Sequence, residues 1–165
     1  MKQIFNKYFW REPIYKDDLK SFLLNGFMYS ILAGILAGAL DTLFWMINFP
    51  LAFGLVIICF MLGSRLSKSY YTYHILYPTL SIVFMLIALL ASDITSTCLI
   101  YRSASDIVRI LSSGQFYLGV FFWPIINLID IIKSFDMVNL LFLILDVGIY
   151  TWAFIYCFKM VKGRN

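Results

Sequence analysis

Charge is scarce in this sequence. Asp, Glu, Lys and Arg make up 13% of its 165 residues, about half the usual share in a soluble domain. Hydrophobic residues reach 62%, and a water-soluble fold of this size has too little polar surface to cover them. Histidine occurs once and cysteine three times. Cys59, Cys98 and Cys157 lie far apart with no CxxC spacing, which argues against a zinc or dithiol motif. One His and scattered carboxylates supply no converging ligand set, so no metal or other cofactor is expected. Neither a glycine-rich phosphate loop nor a GxSxG elbow occurs, so no catalytic residue is assigned and an enzyme is not expected. The net charge is +4. Its basic residues adjoin apolar runs instead of forming a basic face interleaved with aromatics, so nucleic acid is not an expected partner.

What is present is long apolar runs. Between Lys20 and Asp41 lie 20 uncharged residues, between Asp41 and Arg65 23, between Lys68 and Asp93 24, and between Arg109 and Asp130 20. A hydrocarbon core of about 30 Å needs about 20 helical residues. The runs predict an all-α helical integral membrane protein with spans at about 22–44, 51–66, 75–92 and 138–158. A break is expected at Asn48-Phe49-Pro50. Residues 93–136 are read as an outer-face segment. Ile100, Ile107, Ile110 and Leu111 oppose Arg102, Asp106 and Arg109 in an amphipathic helix. An interfacial or re-entrant helix follows, carrying Pro124, Asp130 and Lys133. A fifth span at 116–133 is the alternative.

Basic residues choose between the two topologies. With four spans and the N-terminus inside, ten of the thirteen Lys and Arg lie inside, leaving Arg102, Arg109 and Lys133 outside. With five spans the split is eight to five. The positive-inside bias favours four spans with both termini cytoplasmic, in a cell inner (plasma) membrane. The first twenty residues hold eight charges and do not read as a signal peptide. Ile4, Phe5, Tyr8 and Phe9 oppose Lys2, Lys7 and Arg11, so residues 1–20 are read as a cytoplasmic amphipathic anchor and 21–165 as one transmembrane domain. Lys2, Lys7, Trp10, Arg11, Arg65 and Lys68 are the expected docking residues for lipid or a partner.

Few polar residues fall inside the spans. Ser30, Gly34 and Gly38 recur at four-residue spacing and form a helix-packing stripe, either within the chain or between copies. Asp146 lies deep in the last span, where a carboxylate costs roughly 2.5–3.5 kcal/mol on insertion scales. Tyr150, one turn on, is its expected hydrogen-bond donor. Three readings stay open for Asp146: an interhelical hydrogen bond, a proton or cation site, or pairing with a basic residue of another chain. At 1.5 Å per residue Asp146 sits about 12 Å below the outer boundary, level with Leu36, and would face Gly34 and Gly38 if those helices were neighbours. Asp41 is placed at the outer interface, about 8 Å from the depth of Asp146, which argues against a carboxylate dyad. His74, among Tyr70, Tyr71, Tyr73 and Tyr77, reads as part of an interfacial aromatic belt.

Two stretches carry a resemblance. Ala33–Leu40 with Phe53–Ser64 is a helix hairpin rich in small residues, and Ser134–Phe142 is a polar turn opening the last span. Together they resemble small bacterial multi-pass inner-membrane proteins to which no activity is assigned. The resemblance implies a bacterial inner membrane and four spans, and transfers no site residue. The expected function is a non-enzymatic membrane subunit that anchors or senses for a larger complex, of the kind found in bacterial envelope sensing or phage defence. It would act as a homo-oligomer or in a hetero-complex, docking a soluble partner through its cytoplasmic ends. A small oligomeric transporter or channel subunit using Asp146 is the alternative, and a lipid-modifying enzyme the third.

Overall fold

The computed structural model describes residues 14–47, 53–72, 74–101, 103–122, 129 and 137–162. Lys2, Lys7, Trp10, Arg11, the Asn48–Pro50 turn, Pro124, Asp130 and Lys133 lie outside them. Among the described residues there are six helices and no strand. They are α1 (Lys16–Met46), α2 (Gly54–Leu66), α3 (Leu76–Ile100), α4 (Ala104–Leu111), α5 (114–122) and α6 (Met137–Lys162). Three are long and apolar enough to cross a membrane: α1, α3 and, from Asn139 onward, α6. Helix α2 is apolar but shorter, about 20 Å at 1.5 Å per residue.

Helix α1 buries Phe22, Gly26, Ser30, Ala33, Gly34, Ala37, Gly38 and Thr42. That three-and-four spacing is one helix face, and nearly all of its members below Phe22 are small. The face lies on α3. A Cβ at Gly34 would strike the Ala88 carbonyl and the Ala91 side chain, and one at Gly38 would strike Ser92 and Thr95. The small stripe thus brings two backbones together, where van der Waals contact replaces the hydrophobic effect as the source of helix association. The Gly38 carbonyl accepts hydroxyls from Thr42 at 2.7 Å and, across the interface, from Ser96 at 3.0 Å. This assigns the stripe to packing within the chain and leaves it no room for a second copy.

Helix α3 continues past Asp93 to Ile100, further than the expected span. Its one proline, Pro78, lies in the first turn, where it is tolerated, and Thr95 and Thr97 return their hydroxyls to the carbonyls of Ala91 and Asp93 at 2.8 Å, a bond helices accommodate. Helices α2 and α3 touch each other and each touches both α1 and α6, whereas the backbones of α1 and α6 do not approach closely. The cross-section is a diamond with α2 and α3 on its short diagonal. Helix α6 is fixed by the Cys59 thiol donating to the Ala153 carbonyl at 3.2 Å, by Met160 against Gly63, and by the Tyr70 hydroxyl on the Val161 carbonyl. These contacts set the start of α1 and the end of α6 at the same end of the bundle. Helix α4 packs weakly on α3, and its Arg109–Asp106 pair at 3.6 Å is exposed, so that pair contributes little.

Candidate functional site

Three aspartates gather at the end where α1 and α3 finish. Asp41 comes from α1, Asp93 from α3 and Asp146 from α6. Asp41 lies within electrostatic reach of both Asp93 and Asp146, and Tyr150 within reach of all three. Asp146 is 5% exposed. Asp41 has a second partner: its Oδ1 accepts the Gly54 N–H at 2.8 Å. It therefore caps α2 from another helix and sets a carboxylate at the positive end of that helix's dipole. Gly54 is required there, since a Cβ would collide with the Asp41 carboxylate and the Ala37 methyl. Because α2 is short, its N-terminus reaches only to the level of Asp41, well inside the end of α1 at Met46.

The condition under which Asp146 would face Gly34 and Gly38 is not met, because α3 fills that groove. Asp41 and Asp146 lie within electrostatic reach of each other, which an offset of about 8 Å in depth still permits. Helix α1 begins at Lys16, six residues before the start assumed from the sequence. Asp93 was missed because a charge was taken as the edge of an apolar run. The uninterrupted helical sequence through Ser92-Asp93-Ile94-Thr95-Ser96-Thr97 was the available signal. Among the described residues no three His, Cys, Asp or Glu side chains are placed to hold a metal ion. The three carboxylates share a region without converging on a point.

The opposite end is built from aromatics and backbone capping. Phe22 packs against Tyr70, Tyr77 and Phe84 with centroids 5.9, 4.8 and 5.9 Å away, and Tyr70 stacks on Tyr77 at 4.6 Å. Asp18, 3% exposed, accepts the backbone N–H groups of Tyr71 at 3.2 Å and Thr72 at 3.1 Å. His74, 2% exposed, accepts the Leu76 N–H on Nδ1 at 3.1 Å and so opens α3. The residues expected to face the lipid as an aromatic belt are here partly turned inward, with Tyr70, His74 and Tyr77 in the core and Tyr71 exposed. Arg65 lies over the Tyr29 ring, 5.1 Å from its centroid, and Lys68 is exposed. No protein-family model matches the chain, and no curated protein or solved structure is similar to it.

Proposed function

We propose that the protein is a non-enzymatic multi-pass subunit of a bacterial inner membrane, crossing it four times with both termini in the cytoplasm. The reading has α2 complete the fourth crossing and α4 lie on the outer surface. It is supported by charge: Lys16, Lys20, Arg65, Lys68, Lys159 and Lys162 share one end of the bundle, while Arg109 stands at the other, the asymmetry of a cytoplasmic face.

One observation carries the docking role. Asp18 ties the first turn of α1 to the α2–α3 turn, and Ile14 is buried there. The start of α1 is thereby held at the same end of the bundle as Arg65 and Lys68, and on this reading Lys2, Lys7, Trp10 and Arg11 act with them in docking a soluble partner. Mass measurement of the intact particle in mild detergent tests this. A hetero-complex with fixed stoichiometry is expected, reverting to this chain alone when residues 2–12 are deleted. A particle of this chain alone before deletion would contradict it.

A second reading is favoured by the three aspartates. Carboxylates placed together in an apolar bundle, with a tyrosine beside them, are suited to hold or pass a proton or small cation. On that reading the chain is an oligomeric transporter or channel subunit. Cation- or proton-dependent flux in liposomes, lost in Asp146→Asn, would replace the first reading with the second; its absence would retire the second.

A further inference from the structure

We infer that the groove between α1 and α2 at the basic end is a binding site for the headgroup of an anionic phospholipid. The inference rests on the membrane reading above and is independent of any soluble partner. Its anchor is Arg65. The guanidinium sits 5.1 Å above the Tyr29 ring centroid, on α1, and has no carboxylate partner among the described residues. Stacking on an aromatic face holds the planar group in one orientation while its N–H edge stays available for a bidentate contact. A phosphodiester presents the matching pair of oxygens.

The surroundings complete the chemistry. Lys68 follows Arg65 by one helical turn and is exposed. On the facing helix the Asn25 amide bridges to Ser21 at 3.3 Å and to Ser69 at 3.2 Å. The groove floor is thus polar at the level where a headgroup would lie. One and two turns deeper on the Tyr29 face, Leu32 and Leu36 are exposed, at i+3 and i+7 from that ring. They offer an apolar track for an acyl chain directly below the charge. A free inorganic phosphate would use the cation but not the track. Arg65 can also serve as a general positive-inside anchor, yet such an anchor needs no aromatic to orient it.

Native mass spectrometry of the purified chain, with mixed phosphatidylglycerol and phosphatidylcholine micelles, tests the assignment. The wild type is expected to retain one phosphatidylglycerol in clear preference to phosphatidylcholine. Arg65→Gln is expected to cut that retention by about fivefold or more, the effect of about 1 kcal/mol per basic residue near an anionic surface. Arg65→Lys should keep the charge but lose part of the preference, and Tyr29→Leu should do the same with Arg65 intact. Arg109→Gln, at the other end, should change nothing. Millimolar inorganic phosphate should not displace the lipid; displacement would mean that the phosphate group alone is the ligand, and would overturn the proposal. Equal retention of the two lipids, or equal loss in Arg65→Gln and Arg109→Gln, would also overturn it. Because the readout is lipid on the isolated chain, this result is separable from whether a protein partner exists.

Discussion

The two ends of the bundle are held by different means. At the basic end, Phe22, Tyr70, Tyr77 and Phe84 form a packed aromatic plug, and Asp18 and His74 direct their side chains to backbone N–H groups of the α2–α3 turn. At the other end, three helices bring Asp93 and Asp146 within electrostatic reach of Asp41, and Asp41 joins α1 to α2 by accepting the Gly54 N–H. Aromatic packing and satisfied backbone donors stabilise; neighbouring carboxylates repel when ionised. The comparison assigns stability chiefly to the basic end.

Substitutions can break that division, and the largest effect belongs to the plug. Phe22→Ala removes a fully buried ring that touches three others and is expected to cost about 3 kcal/mol, read as a fall in the thermal midpoint of the detergent-purified protein. Asp18→Ala should cost about 1–3 kcal/mol by leaving the Tyr71 and Thr72 N–H groups unmet, read by the same melt. Moving to the acidic end, Asp41→Ala removes the cap on α2 and should cost about 1 kcal/mol, whereas Asp41→Asn keeps an acceptor for Gly54 and should cost less. Asp146→Asn is expected to shift the midpoint least, by under about 1 kcal/mol, consistent with measured interhelical hydrogen bonds in membranes. If Asp146→Asn destabilised as much as Phe22→Ala, the division between the ends would fail.

Much of the helical architecture was legible from scarcity of charge, because a hydrocarbon core tolerates little of it and each apolar run must close its own backbone hydrogen bonds. The Ser30, Gly34 and Gly38 stripe was legible as a close approach but not as to its partner. Small residues state that a backbone comes near; they do not state whose, and here α3 fills the groove. The acidic cluster was legible in Asp146 and, as an outer-interface polar residue, in Asp41. Asp93 bounded an apolar run in the sequence, so it was read as an edge. Yet α3 carries Asp93 a full seven residues before its end, and Asp41 precedes the end of α1 by five. The aromatic cluster around His74 misled in the opposite sense: an interfacial belt and a buried plug use the same residues, and only packing separates Tyr70 and Tyr77 inside from Tyr71 outside.

The central claim is that carboxylates from separate helices share one region at the end opposite the basic one. Thiol cross-linking in native membranes tests it most directly, in a chain whose Cys59, Cys98 and Cys157 are replaced by Ser. With Asp41→Cys and Asp146→Cys together, a short bifunctional maleimide should join α1 to α6 within one chain. The pair Tyr71→Cys and Asp146→Cys, placed at opposite ends, should stay unlinked. Failure of the first pair to link, or equal linking of both, would contradict the account.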